Sequence, residues 1–166
     1  MPLFPNLVAI FIALAPAITH AAPQSPYIPE FLCNRGPHGL RLPSKLPAVM
    51  HLGPIAREEV IEVEQWEGYT ATRKHVYFPG LTLGLVIFSN DPDRYMVSFA
   101  EISSPQWAHI APFHVGESAV SARRKIGTSA DNDPNLKATY GSEAGELNFE
   151  TSNSRITGIT YTCYTG

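Results

Sequence analysis

Apolar and polar positions along this chain follow a period of two over most of its length and a helical period in two short stretches. Ile61 and Val63 alternate with Glu62 and Glu64, the pattern of a half-buried strand. Thr70 to Phe78 is rich in β-formers. Leu81, Leu83, Leu85 and Ile87 alternate, and Tyr95 to Ile102 predicts a fourth strand. Gly68, Pro79-Gly80 and "SNDPDR" are the turns between them. After a polar loop, "TSADNDPN", the segments Leu136 to Tyr140, Glu146 to Glu150 and Ile156 to Tyr164 predict three more strands, divided by "GSEAG" and "TSNS". Helical spacing appears at Leu46, Val49 and Met50, and again at Ala119, Ala122, Arg123 and Ile126. Ser44 is the expected cap of the first helix, with Pro47 in its first turn, where a missing N–H costs little. Gly53 is expected to end it in a left-handed conformation, and Pro54 forbids continuation. In the second, Glu117 or Ser118 starts the helix and Gly127 stops it. Arg123, Arg124 and Lys125 meet the negative end of its dipole.

The order helix, then antiparallel hairpins, thus occurs twice. Strands this long without intervening helices imply hairpins and exclude a parallel sheet. The expected fold is α+β: two tandem helix–β-meander repeats forming a curved antiparallel sheet with the short helices on one face. The first repeat covers 38–104 and the second 105–166, linked by "SPQWAHIAP". Three strands and one helix are marginal alone, so the halves are expected to join edges or share a core.

The carriers of a family resemblance are Val115, Gly116, Ser118 and Ile126-Gly127, with Leu52, Gly53 and Pro54 in the first copy. They follow a "vGxSxxxvxxxLGxP"-type helix that precedes a meander. In this the chain resembles the secreted beta-lactamase inhibitor protein family, built of tandem helix-plus-sheet repeats, and the small outer-membrane assembly lipoproteins, which carry one such unit. The first copy departs from the pattern with Leu42-Pro43-Ser44 in place of Val-Gly-x-Ser. The resemblance implies a sheet that binds another protein.

The N-terminus sets the compartment. Residues 1–21 carry no Lys, Arg, Asp or Glu, and Leu7 to Leu14 is an unbroken apolar run too short to span a bilayer comfortably. Thr19 and Ala21 stand at small-residue cleavage positions, so 1–21 reads as a signal peptide and 22–37 as an extended Pro-rich leader. The protein is then expected to be periplasmic or secreted, without a stable membrane anchor. In an oxidising compartment Cys33 and Cys163, near the two ends of the mature chain, most simply form one disulfide. The formal charge of −3 and a charged fraction of 16% disfavour nucleic acid as a partner.

Chemistry is sparse. The nearest approach to a metal set is His109 and His114 with Glu117. A spacing of five does not place two histidines on one helix face, and Pro112 breaks any helix between them. Glu62 and Glu64 share a strand face about 7 Å apart. They read as solvated charge or as an acidic binding stripe. No GxSxG, P-loop or dinucleotide fingerprint occurs. Trp66, Tyr69, Trp107 and Phe113 belong to an aromatic concentration in mid-chain. They serve either as core or, where exposed, as interface anchors. The function expected is an exported, non-enzymatic protein-binding module of inhibitor, immunity or envelope-assembly type. It would have no cofactor, another exported protein as partner, and Trp66, Tyr69, Trp107, Phe113, Glu62 and Glu64 as the candidate surface. The alternatives are a small metal-dependent hydrolase and a small-ligand carrier.

Overall fold

Each predicted turn brings its flanking strands together, and the result is a single antiparallel sheet. The computed structural model describes residues 32–127, 139–142 and 145–164. The signal-peptide and most of the leader assignments, the expected "TSADNDPN" loop and residues 136–138 of the expected Leu136–Tyr140 strand lie outside them. In chain order the elements are α1 (Leu46–Met50), β1 (Arg57–Trp66), β2 (Tyr69–Phe78), β3 (Leu81–Phe88), β4 (Asp91–Ile102), a 3₁₀ turn (Pro105–Trp107), α2 (Ala119–Ile126), β5 (Thr139–Ser142), β6 (Gly145–Ser152) and β7 (Arg155–Cys163). The strand order is β1-β2-β3-β4-β7-β6-β5, antiparallel throughout. The fold is α+β, mostly sheet with few short helices. A helix precedes a meander on both sides of residue 104, with four strands in the first and three in the second. The last strands of the two meanders pair, from Phe99↔Thr162 to Ile102↔Ile159.

One face of the sheet makes the core. Val76, Phe78, Leu81, Leu83, Leu85, Ala100 and Ile102 from the first meander join Leu147, Phe149, Ile159 and Tyr161 from the second. The covering layer is built from Leu40, Val49, Trp107, Ile110, Phe113, Ala119, Ala122 and Ile126. Segments 38–104 and 105–166 therefore share one hydrophobic cluster.

Trp107 and Phe113 are here, only 4% and 1% exposed, and not on the surface as interface anchors. Trp107 sits in the 3₁₀ turn, its ring edge-on to Phe78, and its Nε1 donates to the Pro79 carbonyl oxygen at 2.8 Å. Phe113 packs edge-on to Phe149 with ring centroids 5.0 Å apart. Burial of a large apolar ring outweighs its position in a connecting segment.

The helices differ from expectation in their ends. The first starts at Lys45, not Ser44, with no side-chain cap, and Pro47 lies in its first turn. Gly53 is not left-handed. Its value is close approach: a Cβ there would stand 3.1 Å from the Trp107 ring. In α2 the Ser118 hydroxyl accepts from Ser121 N–H at 3.2 Å. Gly127 closes the helix at φ 80°, its N–H bonded to the Arg123 and Arg124 carbonyls. The helix is docked through its N-terminus, where Gly116 N–H reaches Ile156 O and Ile156 N–H returns to Glu117 O.

Two strand expectations also change. The chain turns tightly at Ser89-Asn90, and Asp91, Pro92 and Asp93 already belong to β4. Pro92 is tolerated because the β3–β4 ladder is irregular there and β7 does not reach that far. β1 is not half-buried. It is the sheet edge, and Val60, Ile61 and Val63 are 58%, 47% and 53% exposed.

The disulfide Cys33–Cys163 forms, with Cα atoms 5.6 Å apart across a sequence separation of 130. It ties the first described loop to the end of β7. Leu40 N–H bonds Cys33 O, Arg41 N–H bonds Ile110 O, and the buried Tyr161 hydroxyl donates to His38 O at 3.1 Å. Burial pushes that phenol far above its ordinary pKa, so it stays a donor. Closing so long a loop is worth about 4–5 kcal/mol on the chain-entropy model. Replacing Cys33 and Cys163 together with serine is expected to lower the unfolding free energy by about 3–5 kcal/mol in urea titrations. A loss under about 1 kcal/mol would show that the sheet does not depend on the link.

Candidate binding face

The back of the sheet, away from both helices, is lined by the alternate residues of each strand. On β2 these are Tyr69, Ala71, Arg73, His75 and Tyr77; on β3, Thr82, Gly84, Val86 and Phe88; on β4, Arg94, Met96, Phe99 and Glu101. Ala71 and Val86 are buried, yet neither belongs to the core cluster; their larger neighbours on this face shield them.

The register of the β1–β2 hairpin places Glu64 opposite Ala71, Glu62 opposite Arg73 and Trp66 opposite Tyr69. A bulge between Val60 and Glu62 realigns the pleat, so that Glu59, Glu62 and Glu64 all stand on this same face. Four residues expected to bind are thus brought together: Trp66, Tyr69, Glu62 and Glu64. Trp66 is 56% exposed, its ring parallel to Tyr69 with centroids 6.3 Å apart. Tyr69 meets Phe88 at 6.0 Å, and the Arg94 guanidinium lies 4.7 Å over the Phe88 ring. The three rings form a row across three strands, beside a surface hollow of about 360 Å³ that Arg73, Arg94 and Met96 also line.

Charge on the face is unevenly balanced. Glu59 accepts from the Tyr77 hydroxyl at 2.9 Å and pairs with Arg57 at 3.2 Å. Glu58, on the other face, pairs with Lys74 at 2.7 Å. Glu62 and Glu64 share one cation, Arg73, each at 3.7 Å. Glu64 gains a donor, Trp66 Nε1, at 3.2 Å. Such long, exposed pairs contribute little stability.

Further along, His75 and Phe99 stack at 6.0 Å across Gly84, which pairs with both. A Cβ on Gly84 would fall 2.9 Å from Phe99 Cβ and Ser98 Oγ, so the strand between the rings has to be bare. Sequence reasoning missed Arg73, Phe88, Arg94 and Met96. Their membership depends on register across four strands, and only the alternation within each strand was readable.

The metal candidates do not converge. Glu117 is committed to the start of α2, where its carboxylate accepts from His114 N–H at 3.1 Å and the Ser121 hydroxyl at 2.7 Å, and pairs with Lys125 at 2.7 Å. The His109 ring lies 5.9 Å from that of Trp107. Among the described residues no group of three His, Cys, Asp or Glu could hold a metal ion, and no helix is long and apolar enough to cross a membrane. No protein-family model, curated protein or solved structure matches the chain significantly.

Burial by itself raises the Glu117 carboxyl; the donors Lys125, Ser121 and His114 N–H overcome it and hold the group below its ordinary value. A pKa depressed by folding adds stability above the unfolded value and loses it as pH falls through the folded one. Glu117→Gln is therefore expected to cost about 1–3 kcal/mol at pH 7. The gap between variant and parent should narrow as pH falls below the ordinary carboxylate value, in denaturation curves at pH 7 and pH 3. A pH-independent gap would mean the charge is not what matters.

Proposed function

We propose that the protein is an exported, non-enzymatic protein-binding module of inhibitor, immunity or envelope-assembly type, which meets its partner over the open sheet face at the β1–β2 end. The observation that carries this reading is the aromatic row of exposed Trp66 and half-buried Tyr69 and Phe88, flanked by Arg73, Arg94, Glu62 and Glu64. A large ring beside charged groups is the composition of an interface anchor. Export is supported by the Cys33–Cys163 bridge, which belongs in an oxidising compartment, and by the uncharged apolar N-terminus. We also read the chain as two tandem helix-plus-sheet units of the beta-lactamase inhibitor protein kind. The helix-then-meander order on each side of residue 104 supports that descent.

The test is capture from envelope extract on immobilised protein, followed by affinity measurement with the recovered partner. Trp66→Ala, with an unchanged circular dichroism spectrum, is expected to weaken binding by about 2 kcal/mol, roughly thirtyfold in Kd. Capture that is indifferent to Trp66 and Tyr69 would remove the face from the account. Absence of any specific partner would remove the function.

A further inference from the structure

Among the described residues eight large hydrophobic side chains are exposed, and four of them, Val60, Ile61, Val63 and Trp66, lie on the single strand β1. β1 is ten residues long and, among the described strands, pairs with β2 alone. Its outer side is therefore a row of backbone N–H and C=O groups with no ladder partner among the described residues. The two faces of this strand differ. Val60 and Val63 look to the helix-bearing side, opposite Lys74 and Thr72, and are more than half exposed there, with no described residue covering them. Glu59, Glu62, Glu64 and Trp66 look to the open side. Of the three glutamates, Glu59 is satisfied, whereas Glu62 and Glu64 divide one distant guanidinium.

These features specify an occupant. An added strand would have to bring apolar side chains to Val60 and Val63 on one face and positive charge to Glu62 and Glu64 on the other. A second copy of β1 cannot do so. Antiparallel self-pairing centred between residues 60 and 63 sets glutamate opposite glutamate, such as 59 against 62 or 62 against 64, except in the register that pairs 62 with 63, which sets Glu62 opposite Val63 and Glu64 opposite Ile61 and brings no cation to either. We infer that β1 is a docking edge for an extended partner segment whose residues alternate basic and apolar, bound by strand addition. Main-chain hydrogen bonds would supply affinity, and the two-faced side-chain pattern specificity. The inference rests on the protein-binding reading above and names the partner's chemistry.

The probes are a short peptide alternating lysine and valine and its glutamate–valine counterpart, with amide hydrogen exchange as the readout. The basic peptide is expected to slow exchange across 57–66 several-fold and the acidic one to leave it unchanged. Glu62→Lys with Glu64→Lys, folded by circular dichroism, should reverse that preference. Val60→Ser with Val63→Ser should weaken protection by the basic peptide while its charge preference remains. Protection by neither peptide, by both equally, or only at the β5 edge would overturn the proposal. If Trp66→Ala weakens capture of the native partner while that partner leaves exchange at 57–66 unchanged, the binding face stands and strand addition does not.

Discussion

Four residue pairs, from Phe99↔Thr162 to Ile102↔Ile159, join the two meanders into one sheet, and almost everything else in the molecule rests on them. They set Ala100 beside Tyr161 and Ile102 beside Ile159, which makes the apolar sides of β3 and β4 continuous with those of β6 and β7. Each meander has one short helix of its own, and the buried residues of both belong to one cluster. Once the sides are merged, one covering layer serves both. Trp107, Phe113 and α2 lie over this merged surface, drawn from the segment that connects the two halves. The backbone contacts of 116–119 with 154–156 fix α2 against the start of β7, so the helix is placed by the same strand that completes the sheet.

Covering one side leaves the other to be managed by side chains alone. Ala71 and Val86 are shielded by long neighbours, Gly84 is left bare so that two rings can meet above it, and cations rest on aromatic faces at Tyr77 and Phe88. Towards β1 this self-covering ends, and exposed apolar and acidic groups take over. The bulge and the glutamates also protect that edge from indiscriminate pairing, because like charges repel an identical strand. Protection of that kind discriminates among strands by charge and leaves room for a complementary one.

Much of this architecture was readable along the chain. Strands alternating between Gly, Pro and Asn signals appear close to where the pattern placed them, and α2 keeps its Ser118 start and Gly127 stop, because these are local effects of backbone preference. What was hidden is tertiary. Alternation at Ile61 and Val63 says that a strand is there but not that it is the edge. The bulge, which decides which glutamates share a face, leaves no mark in composition. Gly53 looked like a helix stop, whereas its role is to make room for a ring more than fifty residues away. Trp66 and Tyr69 could be grouped because a two-residue turn joins them. Phe88, Arg94 and Met96 could not, because their neighbourhood depends on register accumulated over several strands.

The sulfur bridge has a mechanical consequence. Cys33 and Cys163 lie 130 residues apart in sequence but 5.6 Å apart between Cα atoms, so the two ends of the folded body are joined side by side. Tension applied to both ends would be carried by that covalent link and would not peel the strands apart. The body of the protein between the two cysteines would behave as an inextensible node.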